Sequence, residues 1–303
     1  MSWTFHDTDF YVSTEANKLG ETTISTDSWF AVSTYGLMRG RPTITPSTDN
    51  SNKITLAGRP GEYRSTVKQR SNAQIAIEVL IADAWPHAPL KAIDNPYINN
   101  VYERAMFVMS ILQDAKRVSY KENGKPANDY YEVISAKCEI QDADEKAAVV
   151  KCTYEIFPFR YFLDGNEAIT IPANGSLINQ EFNLRPCSEA WPIFVFGPYA
   201  NSYVTQLRVY CHDEPIIPSD LSINGNTVTT VSERILTFGP LVTGKTLTID
   251  TGKLQSYIDM LTPANKFLSG DYDAVRFEAN KLVSIDNHSP VQLKVYSRRG
   301  MII

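Results

Sequence analysis

The sequence is poor in the groups that carry most enzyme chemistry. Its 303 residues include only 4 histidines and 4 cysteines. His6, His87, His212 and His288 stand singly, with no H-E-x-x-H and no pair at helical spacing, so no metal site is expected. There is no G-x-S-x-G elbow, no G-x-x-x-x-G-K-[ST] phosphate loop and no dinucleotide fingerprint. No catalytic residue and no cofactor is assigned, and the chain reads as a non-enzyme. A basic excess is also missing, since 29 Lys and Arg against 34 Asp and Glu give a formal charge of -5. Sequence-specific nucleic-acid binding draws on the opposite sign of charge, whereas passage of DNA nearby does not. The longest apolar runs, such as residues 191–196 (WPIFVF), fall far short of the roughly 18 residues of a membrane span, so no membrane insertion is expected. Residues 1–10 lack the basic and apolar regions of a secretory signal, which reads as a soluble protein made in a cytoplasm. In that setting Cys138, Cys152, Cys187 and Cys211, with no C-x-x-C, read as free and mostly buried thiols. A disulfide between Cys138 and Cys152 across a hairpin is the alternative.

What is present is β-structure. With 43% apolar and 21% charged residues the chain has the composition of a globular protein, and its length suggests two domains. Residues 3–79 hold short stretches of Thr, Ser, Ile, Val, Tyr and Phe, separated by turn residues. Ile75, Ile77 and Val79 alternate, which places them on one buried face of a strand. Helical periodicity occurs once, at Val101, Ala105, Met109 and Leu112, with Tyr102 and Met106 widening the stripe and Asn100 and Glu103 as a capping pair. Residues 129–141 and 147–157 flank the acidic turn 142–145 as a hairpin. A boundary is expected near Asp164-Gly165, followed by about ten short β-like runs without helix, the pattern of a sandwich or jelly roll.

Two carboxylate pairs, Asp142 with Asp144 and Asp271 with Asp273, are read as solvated loop residues. Trp191, Tyr199 and Tyr203 are aromatic residues of the second half, and Trp191 opens its most apolar strand and reads as core. Exposed tyrosines on a sandwich stack on sugars, so Tyr199 and Tyr203 are the candidate glycan contacts.

The order of landmarks points further. Residues 39–42 (RGRP), then Lys53 to Tyr63 (KITLAGRPGEY), resemble the early strand and glycine turn of siphophage distal tail proteins. Residues 152–165 (CTYEIFPFRYFLDG) look like that family's strand ending in a proline-aromatic turn at the domain junction. Residues 191–197 (WPIFVFG) are similar to its "P-I-I-x-V-x-G" strand, 248–250 (TID) to its "I-D" strand, and 291–299 (VQLKVYSRR) to its closing strand with a basic end. The terminal segment lacks the usual Pro-Arg-Trp.

The resemblance implies a mainly β chain. Residues 1–163 would form a ring-forming β-domain, sheet-like or barrel-like, with one amphipathic helix near 100–115; residues 164–303 would form a galectin-like β-sandwich (jelly roll). It further implies a structural virion protein at the distal end of a phage tail, assembled in the host cytoplasm. Six copies would close a homo-hexameric ring that joins the tail tube to baseplate or tip proteins, with a receptor-binding protein as a further partner, and DNA would pass through the bore. Arg41, Gly58, Arg59, Gly61 and Tyr63 are the candidate subunit contacts. The competing expectation is a carbohydrate-binding β-sandwich protein that attaches to host cell-wall polysaccharide.

Overall fold

The computed structural model describes residues 9–16, 19–25, 27–48, 53–55, 62–64, 71–82, 100–121, 127–184, 187, 189–199, 205–216, 232–238, 244–253, 255–259, 262–264, 268–270 and 275–303. The chain forms two compact units. The first comprises Met1–Lys18, Thr23–Tyr161 and Ile302–Ile303, and the second Leu19–Thr22 and Phe162–Met301. The change of unit thus falls between Tyr161 and Phe162, two residues before the boundary expected at 163/164, and two short segments belong to the unit remote from them in sequence.

The first unit holds β1 (Asp9–Ser13), β2 (Phe30–Ala31), β3 (Leu37–Met38), β4 (Thr43–Thr45), β5 (Lys53–Thr55), β6 (Glu62–Arg64) and β7 (Ala73–Ala82). They are followed by α1 (Val101–Gln113), β8 (Arg117–Lys121), β9 (Asp129–Gln141) and β10 (Ala147–Phe162), which enters the second unit with its last residue. The main sheet runs β2-β1-β8-β9-β10-β7-β3, with β4 also on β7 and the chain's last strand on β10, and among the described residues it does not close, which favours the sheet-like over the barrel-like form. β7 pairs antiparallel with β10 in unbroken register from Ala73↔Ile156 to Ala82↔Ala147. The two-residue period works as expected: Ala73, Ile75, Ile77, Val79 and Ile81 are all buried.

The helix covers this face. The Asn100 side chain accepts from the Glu103 N–H at 2.8 Å, which satisfies one of the unpaired donors at the helix start. Val101, Ala105, Val108 and Leu112 are buried against β7 and β9, each contributing up to roughly 1.5–3 kcal/mol for the larger side chains. The stripe matches the sequence expectation at Val101, Ala105 and Leu112, and Met109 packs half-buried against the same core. Val108 joins the buried positions, while Tyr102 and Met106 face outward at 54% and 43% exposure. They sit at the margin of a helix whose apolar arc is wider than the surface it covers.

The second unit begins with a single 3₁₀ turn (Leu163–Asn166) and continues with β11 (Ala168–Ile171), β12 (Ser176–Glu181), β13 (Glu189–Ala190), β14 (Ile193–Phe196), β15 (Thr205–His212) and β16 (Ser232–Phe238). The remaining strands are β17 (Leu247–Asp250), β18 (Gln255–Ile258), β19 (Thr262–Pro263), β20 (Leu268–Gly270), β21 (Phe277–Glu278), β22 (Leu282–His288), β23 (Leu293–Tyr296) and β24 (Gly300–Ile302), whose last residue returns to the first unit. One sheet runs β11-β23-β14-β17-β18-β19 and the other β12-β22-β15-β16-β20. Phe194, Phe196, Ile249, Leu293 and Val295 of the first share one core with Leu207, Val209, Val283 and Ile285 of the second. Two sheets closing on one apolar layer are a β-sandwich. Among the described residues the fold is therefore mainly β with one α-helix.

Two thiol expectations are corrected. Cys138 and Cys152 are joined as a disulfide across the β9–β10 hairpin, their Cα atoms 4.1 Å apart. Neighbouring positions of an antiparallel pair bring side chains this close. Cys187 and Cys211 are free.

Candidate functional site

A closely constrained polar site of the second unit lies where its two ends meet. The chain leaves β23 and turns through Arg298, whose φ of 39° is in the left-handed region. The Arg298 N–H then donates to the Gly165 carbonyl at 3.0 Å and the Phe162 N–H to the Arg299 carbonyl at 3.1 Å. A Cβ on Gly165 would stand 2.9 Å from the Arg299 nitrogen, so only glycine permits this approach. The two arginines serve different partners. Arg299 grips the Asp164 carboxylate as a fork, Nε donating to Oδ1 at 2.8 Å and Nη2 to Oδ2. Its Nη1 donates to the Asn183 carbonyl at 3.1 Å, and the guanidinium lies over the Phe162 ring, 5.1 Å from its centroid. Arg298 enters the interior, 1% exposed, with Nη1 2.5 Å from Oδ2 of Asp250, itself buried. The other Asp250 oxygen accepts from the Lys253 N–H at 3.0 Å.

Asn166, fully buried, completes the junction. Its Nδ2 donates to the Glu21 carbonyl at 3.1 Å, and its own carbonyl accepts from the Gly20 N–H at 3.1 Å, which fixes residues 19–22 onto this unit. The planar fork of Arg299 matches the two oxygens of Asp164 in only one orientation, on a carboxylate that is 63% exposed, while the Arg298–Asp250 contact is the buried one. None of this was visible in the sequence beyond the landmark segments 162–165 and 291–299, which the fold brings together.

A second buried charge organises the first unit. Arg117 on β8 is fully buried below the Trp29 ring, 4.7 Å from its centroid, and 5.7 Å from that of Tyr130. It donates to the Glu15 carbonyl at 3.1 Å and to Ser13 Oγ at 3.2 Å, and its register partner on β9 is the buried Glu132. Beside it Arg160 pairs with the buried Asp129, and burial pushes the Tyr131 phenol far above its ordinary value. Such groups hold strands in place because an unpaired charge there would be costly.

The sequence-derived contact residues fare unevenly. Arg41 is described and exposed, while Gly58, Arg59 and Gly61 lie outside the described residues. Tyr63 falls in β6, paired opposite Ile54 of β5, and its side chain is outside the described set. Of the glycan candidates, Tyr203 lies outside the described residues. Tyr199 is corrected: it is 1% exposed and packed into the sandwich core, its backbone held by Lys245 and Gly244, so its ring offers no face to a sugar.

The polar groups with catalytic residue types have structural work. Ser284 Oγ lies 2.9 Å from His212 Nε2, and His212 Nδ1 is 2.7 Å from the Glu214 carbonyl. A carbonyl only accepts, so Nδ1 carries the proton and the serine hydroxyl donates to Nε2. Ser284 is fully buried and also accepts from the Asn179 N–H at 3.0 Å, so this pair braces β15, β22 and the irregularity in β12. Asp286 accepts from Ser176 at 2.9 Å and lies 2.6 Å from His288 Nε2, off the line of a ring N–H bond. The carboxylate stands between serine and histidine, where neither can activate the other. Asp144 accepts the Lys146 and Ala147 N–H groups, both at 2.7 Å, which holds its carboxyl below the usual range and makes it a turn residue. Asp271 and Asp273 lie outside the described residues. Among the described residues no cluster of three metal-ligating side chains occurs.

No protein-family model matches the sequence, and no curated protein does. Solved structures are similar. One is the Dit (gp 19.1) protein of phage SPP1, described as a paradigm of the hub adsorption apparatus in phages infecting Gram-positive hosts. It is 12% identical with a TM-score of 0.42, over 88% of this chain and 94% of that one. Another is a chain of the phage P2 baseplate in its activated conformation with Ca, 10% identical with a TM-score of 0.39, over 95% of this chain and 97% of that one.

Proposed function

We propose that this chain is a structural component of a phage tail, a distal tail subunit whose ring joins the tail tube to the baseplate or tip and lets DNA pass through its bore. The observation that carries this reading is the meeting of residues 162–165 with 298–299. Two landmarks of the distal tail resemblance, more than 130 residues apart, form one junction held by the Asp164–Arg299 pair and by Gly165. The landmarks at 191–197 and 248–250 fall on the sandwich strands β14 and β17, which pair with one another, and β23 of the 291–299 landmark pairs with β14; those at 39–42 and 53–63 belong to the first unit.

The work of such a protein is geometric. In a ring each copy presents one surface to a different surface of the next, so a rigid unit sets the rotation that closes the cycle. The buried Arg298–Asp250 pair and the close Gly165 approach supply that rigidity. A formal charge of -5 also suits a passage, because a lumen that does not neutralise phosphates leaves DNA free to slide. In this reading the ring is a homo-hexamer, the second unit lies on the outside as a galectin-like sandwich, and the protein has no enzymatic activity.

Immunogold labelling of intact virions with antibody raised against the purified chain tests the placement. Label confined to the distal end of the tail is expected. Label on the capsid or along the whole tail tube would contradict the proposal.

A further inference from the structure

The sandwich unit carries a cleft that the junction and the ring reading do not use. Its volume is about 440 Å³, and it is lined by Glu181, Phe182, Asn183, Leu184, Ala279 and Asn280. One wall is the end of β12 and the segment after it; the other is the turn between β21 and β22.

Both walls are pinned from behind. Leu184 is core, 2% exposed, and its carbonyl accepts from the Cys187 N–H at 2.7 Å. The Asn183 carbonyl is tied by Arg299 at 3.1 Å. The Phe182 ring stacks on the fully buried Phe277 with centroids 4.5 Å apart. On the far wall, Asn280 holds a left-handed φ of 64°, and the turn is closed by the Lys281 N–H to the Glu278 carbonyl and by the Lys281–Glu278 ion pair at 3.1 Å. A cleft with fixed walls loses little entropy on binding.

The lining also selects a chemistry. Among the described residues it offers one carboxylate, two carboxamides and one aromatic ring, and no cation. A phosphate or carboxylate ligand would meet Glu181, while the cations behind the walls, Lys281 and Arg299, are already paired with Glu278 and Asp164. A cationic ligand would find a single carboxylate without an aromatic cage. Carboxamides and a carboxylate, by contrast, donate to and accept from adjacent hydroxyls, and a ring beside them takes the apolar C–H face of a pyranose. The volume lies in the range of small-molecule sites and accommodates one or two sugar rings.

We infer that this cleft is a binding site for neutral carbohydrate, with Asn183, Asn280 and Glu181 holding hydroxyl groups and Phe182 offering apolar surface. The site differs from the Tyr199 and Tyr203 positions that sequence pattern favours, and it stands whether or not the chain closes a ring.

The test is saturation-transfer NMR and calorimetry on the full chain with four neutral disaccharides: cellobiose, maltose, lactose and N,N′-diacetylchitobiose. Saturable binding of at least one, with a Kd on the order of 1 mM, is expected of a shallow preformed site. The double variant Asn183→Ala/Asn280→Gly, in which glycine keeps the left-handed turn, should weaken binding at least tenfold. Glu181→Gln, which preserves size, should weaken it severalfold with an unchanged circular dichroism spectrum, and it serves if the double variant does not fold. Failure of all four sugars to bind, or equal binding by wild type and folded variants, overturns the inference. The oligomeric mass, which reports on the ring reading, is unaffected by these substitutions, so the two failures are distinguishable.

Discussion

Replacing Asp250 by Ala lowers the stability of the second unit by about 3–5 kcal/mol, the cost of leaving one member of a buried ion pair alone. Arg298 is 1% exposed, and its Nη1 lies 2.5 Å from Asp250 Oδ2. Without that carboxylate the guanidinium must remain charged in the sandwich or pull the closing segment out to water. At roughly 2–4 °C per kcal/mol for a unit of this size, the melting transition falls by about 10 °C. Calorimetry of the full chain reads this directly. The double replacement Asp250→Leu/Arg298→Met recovers most of the loss, because two apolar side chains carry no desolvation penalty. A single-variant loss below about 1 kcal/mol, the range of exposed pairs, would show that Arg298 is hydrated or re-paired, and would remove the junction as the rigid element of the subunit.

The second large effect concerns the hairpin. Cys138 and Cys152 are joined with a separation of 14 residues. In the chain-entropy account a closed loop of this size contributes about 3 kcal/mol by restricting the unfolded chain. Cys138→Ser/Cys152→Ser should therefore unfold at lower denaturant by about that amount, with the transition slope nearly unchanged. Alkylation in denaturant without reductant should label two cysteines, Cys187 and Cys211, and all four only after reduction. Four labels without reductant would contradict the bridge. A bridge of this kind persists in an oxidising environment such as the outside of a cell and is rare among the reduced thiols of a cytoplasm.

The local features were legible in the sequence wherever one period decides burial. Ile75, Ile77 and Val79 alternate, and β7 follows. Asn100 caps α1 because its side chain reaches only a backbone N–H three residues on. Features that depend on tertiary partners were not legible. Arg298 meets Asp250 across 48 residues and Arg299 meets Asp164 across 135, and no spacing rule links residues so far apart. Read from the terminal sequence alone, both arginines were a basic end. Tyr199 follows a proline after a strand, which reads as an exposed turn, yet the core takes its ring. Val108 joins Met109 on the covered side, and Tyr102 and Met106 do not, because the sheet beneath α1, not the helix pattern, sets which side of the arc is covered. The cysteine pair was visible as hairpin neighbours, but the expected compartment argued for thiols. The cleft at 181–184 and 279–280 joins an edge strand to a turn almost 100 residues later, and its residues form no motif.

The central claim is that the chain closes a ring, and its mass in solution tests that most directly. Size exclusion coupled to light scattering, followed by negative-stain imaging of the peak, should give about 204 kDa, six times 34.0 kDa, with a central hole. A particle of 34.0 kDa that stays monomeric at high concentration and in the presence of purified tail tubes would contradict the account.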